Sequence, residues 1–276
     1  MYLVTGATGN IGGAVVRALA GQGLPVRALV RDAARAKLPE GVTAAVGDLD
    51  DPDSLVPWLD GVEAAFVLPG YPDMPALYER LRDAGVKRAV QLSGGSAGSG
   101  DTTNAVTAMM MDSEAAARES GISWTVLRPS AFMSNTLRWL PELRAGDVVR
   151  APWGDIAVAC IDAEDIAAVA VAAMLDDAHA GAVYRLTGSR AMLPAEQLAV
   201  LGRVLDRRLR FEGLTLEETR AQLEATMPEK YVHAFWDFYV DGSLDESLVL
   251  PTVEELLGRP PRTFEQWAEA HVRDFR

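Results

Sequence analysis

Gly6, Gly9 and Gly12 stand at GxxGxxG spacing in "VTGATGNIGG", directly after the apolar run "YLVT" and at the start of a helical pattern. That placement suits one kind of chemistry. The first glycine lets the chain turn sharply off a strand, the second lets backbone approach a pyrophosphate, and the third lets helix and strand pack closely. The helix N-terminus then offers N–H groups and the positive end of its dipole to the phosphates. Thr8, Asn10 and Ile11 complete the cradle. The expected ligand is a dinucleotide.

Such a cradle needs strands and helices in alternation, and the first 130 residues supply them. Strands are expected at 2–5, 25–30, 42–46, 63–68, 87–93 and 123–128. Helical stretches lie between them, as in "NIGGAVVRALAGQG", where Ile11, Val15, Ala18 and Leu19 share a face. This order implies right-handed βαβ crossovers and an α/β fold, a doubly wound parallel sheet of the Rossmann kind. Asp32 is expected to cap a helix over "DAARAKL". After Arg128 the pattern loosens into a loop and short helix. "IAVACIDAEDIAAVAVAAMLDD" then reads as a strand and a helix, with Asp162 or Glu164 near the cap and Asp165 in the first turn. From about residue 194 the chain reads as mainly helical. The expected division is a cofactor-binding core over 1–129 with 156–187 returning to it. A smaller substrate-binding or lid part is expected over 130–155 and 188–276.

The chain has 276 residues, 49% hydrophobic and 24% charged, which suits a globular protein with a large core. A net charge of −13 argues against nucleic acid and against anionic membranes as partners. No apolar run approaches the roughly 18 residues of a membrane span. Met1 lies beside the first strand with no basic leader, so no signal peptide is expected, and the lone Cys160 suits a cytoplasmic setting. Cys160 sits in "IAVACI" and reads as a buried packing residue. No His, Cys and carboxylate grouping has metal-ligand spacing, so no metal is expected.

"VTGATGNIGGAVVRALAGQGLPVRALVRD", "VGDLDDPDSL", "FVLPG", "SGISWTVLRPSAFMSN" and "GRPPRTFEQWAEAHV" together resemble the NmrA-like family of atypical short-chain dehydrogenase/reductases. The resemblance covers nearly the whole chain. That family includes NADPH-dependent quinone, azo-dye and phenylpropanoid reductases as well as non-catalytic redox sensors. Counting from Gly12 in the related reductases, the end of strand two falls at Val30, followed by Arg31. A guanidinium there can grip a 2′-phosphate, so NADP(H) is expected ahead of NAD. Asp32 is the competing ribose acid. The resemblance further implies that Asp48 and Leu49 meet the adenine, that the backbone of Val67, Leu68 and Pro69 lines the ribose, and that Ser93 and Gly94 border the nicotinamide. The segment Arg128 to Phe132, with Pro129 and Ser130, would cover the nicotinamide amide.

Many reductases of the wider superfamily carry Tyr-x-x-x-Lys, in which lysine lowers the phenol pKa and the tyrosine protonates the nascent alkoxide. Lysines occur here only at 37, 87 and 230, and Ala33, Asp83 and Thr226 stand four residues earlier. The pair is absent. Glu114 aligns with a glutamate common in these relatives, which places Val106 or Thr107 and Met110 or Met111 at the lost positions. Met110 and Met111 would line an apolar, adaptable substrate wall. Asn135 matches a recurrent family asparagine near the cleft, and Trp236 lies in the aromatic run "KYVHAFWDFY". There, residues 232, 235, 236 and 239 share a helical face and read as core packing. Tyr71, after "VLPG", and His233, off that stripe, are the candidate proton donors.

The leading expectation is an NADPH-dependent oxidoreductase of a quinone, enone or similar apolar conjugated small molecule. The alternatives are a redox-sensing regulator that signals through a protein partner, or a cyclase or isomerase without net redox. A monomer or homodimer is expected.

Overall fold

The computed structural model describes residues 1–275. Along the chain the elements are β1 (Tyr2–Val4), α1 (Asn10–Gly21), β2 (Val26–Val30), β3 (Thr43–Val46), β4 (Ala64–Val67), α2 (Met74–Asp83), β5 (Arg88–Leu92), α3 (Ala105–Glu119) and β6 (Ser123–Pro129). They continue as α4 (Leu140–Ala145), β7 (Val148–Ala151), α5 (Ala163–Leu175), β8 (Val183–Leu186), α6 (Pro194–Leu205) and β9 (Arg210–Gly213). The chain ends in α7 (Leu216–Thr226), α8 (Glu229–Tyr239), α9 (Thr252–Leu257) and α10 (Phe264–Ala270). Two compact units emerge. One comprises 1–102, 107–129 and 163–185; the other comprises 103–106, 130–162 and 186–276.

A seven-stranded sheet in the order β3-β2-β1-β4-β5-β6-β8 dominates the first unit, and the pairs from β3 through to β6 are parallel. The sheet is doubly wound. Leu3, Ala65, Val67 and Ala89 share a buried cluster with Leu77 and Leu81 of α2 and Ala116 and Ala117 of α3. α1 and α5 pack together, and Arg17 of α1 bonds Glu164 of α5 at 2.7 Å. Helices therefore cover both faces, which is why these strands read as nearly unbroken apolar runs. Each fully buried leucine here contributes about 1.5–3 kcal/mol.

The second unit has its own core, in which Met133, Val149, Leu201, Phe264 and Trp267 are buried. It carries a small parallel sheet of β7 and β9, registered Val148 with Arg210. Thr215 and Thr263 begin α7 and α10 with capping boxes closed by Glu218 and Gln266.

Three local expectations are corrected. Residues 33–38 form no helix: Asp32 Oδ1 accepts the Ala34 N–H at 2.9 Å, an Asx turn in place of a cap. The run at 156–161 is not a strand but carries single bridges, Val158 with Met192 and Ile161 with Phe132. On α8 the buried residues are Val232, Ala234 and Phe238, whereas Phe235, Trp236 and Tyr239 are only half-buried.

Candidate functional site

Open α/β sheets bind ligands outside the carboxyl ends of their strands, at the point where the strand order reverses. Here that point lies between β1 and β4. The loops leaving these two strands are tied together, because Thr5 Oγ1 accepts the Leu68 N–H at 2.9 Å. Gly6 follows with φ 60°, and a β-carbon on it would stand 2.2 Å from Leu68 Cδ1. The Gly9 N–H bonds Gly6 O at 2.8 Å to close the turn. At Gly12 a β-carbon would come 2.3 Å from Gly6 O and 2.5 Å from Thr5 O, so helix and strand touch backbone to backbone. α1 begins with no side-chain cap on Gly9 and no acid in its first turn. That leaves the positive end of its dipole uncompensated and suited to an anion. Thr8 and Asn10 are exposed at this end and Ile11 is buried. The residues fit a pyrophosphate.

Arg31, just past β2, is exposed and makes no ion pair among the described residues. Past β3, Asp48 sits in a turn: its N–H bonds Ser54 Oγ at 2.8 Å and its Oδ1 accepts the Asp50 N–H at 3.1 Å. Leu49 packs into the core and is 4% exposed. The Val67 side chain is wholly buried, while Leu68 and Pro69 are half-buried. Tyr71 is half-buried. Burial raises its phenol pKa, Asp50 and Asp48 raise it further, and Arg31 opposes them. Its electrostatic neighbours are thus the groups at the ends of β2 and β3.

The methionines of α3 border two glycines. A β-carbon at Gly70 would meet Met109 Sδ at 2.6 Å, and one at Gly94 would meet Met110 Cε at 3.6 Å. Met109, Met110 and Met111 are all half-buried, between core and solvent. Ser113 anchors the same helix, accepting the Gly70 N–H at 3.0 Å. Next to it, Glu114 is wholly buried and takes hydrogen bonds from Ser93 Oγ at 2.6 Å, Arg118 Nη2 at 2.8 Å and both Nε and Nη2 of Arg128. Burial alone would raise its pKa, but the bonds from Arg128, Ser93 and Arg118 outweigh it and hold the carboxyl below the usual carboxylate range. Sequence reasoning used Glu114 only as an alignment mark. The signal available was an acid beside the run of alanines 115–117, with arginines at 118 and 128.

In the second unit, the segment after β6 is held from two sides. Ser130 Oγ donates to Ala159 O at 2.5 Å, and the Ala131 N–H donates to Glu246 Oε1 at 2.7 Å. Glu246 Oε2 also accepts the Tyr239 hydroxyl at 2.7 Å. Phe132 and Asn135 are half-buried nearby in the chain. Trp236 lies beneath the guanidinium of Arg220, 4.7 Å from its ring centroid. The His233 side chain is 67% exposed and faces Glu229 at 3.5 Å. A cavity of about 220 Å³ in this unit is bordered by Met133, Cys160, Gln197 and Phe264, and by none of the residues expected at the dinucleotide site. Cys160 is half-buried there, and burial, with Glu246 adding to it, pushes its thiol up to about 12. That is a packing thiol, not a nucleophile. Among the described residues no cluster could hold a metal ion and no helix is long and apolar enough to cross a membrane.

The chain is similar over its whole length to known proteins. It is 41% identical to (4-alkanoyl-5-oxo-2,5-dihydrofuran-3-yl)methyl phosphate reductase of Streptomyces griseus subsp. griseus, covering 100% of this chain and 99% of that one. It is 38% identical to the NAD(P)H azoreductase of Xenophilus azovorans, with the same coverage. A solved structure described as a new type of NADPH-dependent quinone oxidoreductase from Escherichia coli superposes with a TM-score of 0.80 at 25% identity, covering 99% of this chain and 100% of that one. The pattern of the NmrA-like family matches residues 2–246, and the chain belongs to that family.

Proposed function

We propose that this protein is an NADPH-dependent oxidoreductase that delivers hydride to an electron-poor double bond in a conjugated small molecule, such as a quinone or an enone. The cradle at the β1–β4 switch carries the reading: its first and third glycines are sterically required, and its helix end is neither capped nor acidic. The full-length relatives named as reductases support it.

In this reading the cradle of the first unit holds the dinucleotide. Gly6, Gly9 and Gly12, with Thr8, Asn10 and Ile11, present backbone to the pyrophosphate, and Arg31 takes the 2′-phosphate. Asp48 and Leu49 border the adenine, and Val67, Leu68 and Pro69 the ribose. Ser93, Gly94, Pro129, Ser130 and Phe132 border the nicotinamide. When bound, NADPH supplies the hydride. Glu114 fixes Ser93 and Arg128 relative to each other, so the ends of β5 and β6 keep one geometry. Met110 and Met111 of the first unit, and Asn135 and Trp236 of the second, are the side chains to test for substrate contact. The chain has no Tyr-x-x-x-Lys pair. Acceptors whose anion is delocalised need no strong local acid, because water can protonate them afterwards. Tyr71 and His233 are the side chains to test as donors.

The test is NADPH oxidation followed across a series of quinones and enones, with NADPH and NADH binding measured in parallel. Tight NADPH binding with turnover of conjugated acceptors is the expected result. Binding without any turnover would overturn the oxidoreductase reading in favour of a sensor or a non-redox enzyme.

A further inference from the structure

Trp153 is one of two residues other than glycine with a positive φ among the described residues, at 64°. For a bulky side chain that backbone is costly, and it persists only where surrounding structure over-determines it. The Trp153 carbonyl accepts the Ile156 N–H at 3.1 Å, which closes a turn over Gly154 and Asp155. The indole gained by this turn is not sunk into the core. It stays half-buried, with its centroid 5.1 Å from that of Tyr239 and the planes inclined at 44°. Tyr239 is stacked in turn on Phe235, at 6.3 Å and 16°. Phe235 and Tyr239 are likewise half-buried. Three large rings of one unit thus remain partly accessible.

Glu246 fixes the position of this group. One carboxylate oxygen takes the Tyr239 hydroxyl, and the other takes the Ala131 N–H in the segment leaving β6. A single buried side chain thereby ties the aromatic group to Ala131 within the same unit. Burial and Glu246 hold the Tyr239 phenol well above its ordinary pKa. Tyr239 therefore offers its ring and not a proton.

We propose that Trp153, Tyr239 and Phe235 form a stacking shelf for the planar ring of an electron-poor conjugated acceptor, positioned by Glu246. Aromatic faces carry negative charge density, and electron-poor planar rings stack on them in offset geometry. A flexible aliphatic acceptor gains little from such a surface. The shelf rests on the oxidoreductase reading for the identity of its ligand as a hydride acceptor.

The test uses menadione as the planar probe and cyclohexenone as the non-aromatic one. Trp153→Gly removes the ring at a position where glycine adopts the observed backbone without strain, so the turn is kept. Trp153→Phe retains a face. Menadione binding without NADPH is read from quenching of tryptophan emission. Trp153→Gly should weaken it and raise the KM for menadione about tenfold or more, with NADPH affinity and the KM for cyclohexenone within about twofold. Trp153→Phe should recover most of the loss. The shelf is overturned if the wild type does not bind menadione, or if Trp153→Gly binds and turns it over as the wild type does. NADPH oxidation absent in the wild type, with menadione binding lost in Trp153→Gly, would leave the shelf standing and remove the oxidoreductase reading.

Discussion

Arg128 donates two parallel hydrogen bonds to Glu114, Nε to Oε1 at 2.8 Å and Nη2 to Oε2 at 2.7 Å, and the carboxylate has no solvent exposure. The pair joins α3 to the end of β6. Ser93 Oγ, bonding the same oxygen as Arg128 Nε, brings in the end of β5. A bidentate pair of this kind fixes orientation as well as distance. The strand ends expected beside the nicotinamide are thereby braced by a charge that lies behind them.

Replacing Glu114 by Gln should be severely destabilising, because Arg128 and Arg118 would lose their counter-charge. Breaking a buried pair costs about 3–5 kcal/mol, readable in denaturant unfolding. The pH dependence has a fixed sign. The folded pKa of Glu114 lies below its ordinary value of 4.5, so its contribution is present above that value and lost as pH falls through the folded pKa. As pH falls below 4.5, the wild type should lose more stability than Glu114→Gln. Equal losses would mean that the folded pKa of Glu114 is not depressed.

Gly9 and Gly12 should separate binding from folding. A β-carbon at Gly12 would sit 2.3 Å from Gly6 O, closer than any packing allows, whereas one at Gly9 would be 3.2 Å from the same atom. Gly12→Ala is therefore expected to lower stability by about 1–3 kcal/mol or more through overpacking. Gly9→Asp should keep nearly wild-type melting, yet lower NADPH affinity by about a hundredfold, since it sets a carboxylate against phosphate. Calorimetry and titration on the two variants check this. Wild-type NADPH binding by Gly9→Asp would show that the loop is not the cradle.

Arg31→Ala should cost NADPH binding the worth of charge-assisted bonds, about 1.5–3 kcal/mol or roughly ten- to hundredfold in Kd. NADH binding should be unchanged. The side chain is exposed and unpaired with any carboxylate among the described residues, so its removal leaves no buried charge behind. An equal loss for both nucleotides would place Arg31 elsewhere than at the 2′-phosphate.

The parallel strands and the cradle were legible because their signals are local: short apolar runs, 3.6-residue periodicity and three spaced glycines. β7 and β9 were not. Each is four residues long, and Val148 finds its partner only at Arg210. "IAVACI" reads as a strand, yet Val158 pairs with Met192 and the Ala159 N–H goes to Glu246 O, so tertiary partners replaced a ladder. "DAARAKL" has helix-forming residues, but Asp32 spends its carboxylate on Ala34 in a turn. At the site, Glu114 was visible as a residue, while its bond to Arg128 depends on the register of α3 against β6. Trp153 gave still less warning. Pro152 and Gly154 mark a turn, but the positive φ of the tryptophan between them has no sequence signature.

The last prediction concerns α3 and the proton. Met110 packs near Gly94 at the end of β5, half-exposed, in the region where a helix-borne acid would stand in other reductases. If hydride transfer needs no such acid, Met110→Leu should leave its single-turnover rate within about tenfold, or roughly 1.4 kcal/mol. Leucine keeps volume and apolarity, and swaps of this kind usually cost under about 1.5 kcal/mol. Tyr71→Phe should behave the same way. Its phenol is held above the ordinary value by burial and by Asp50 and Asp48, which makes it a poor acid near neutrality. His233→Phe should also be mild, because that imidazole is 67% exposed beside Glu229. The measurement is single-turnover NADPH oxidation with a quinone that the wild type reduces, repeated across pH. A fall of about a hundredfold in Tyr71→Phe or His233→Phe would identify that side chain as the donor and defeat protonation by water.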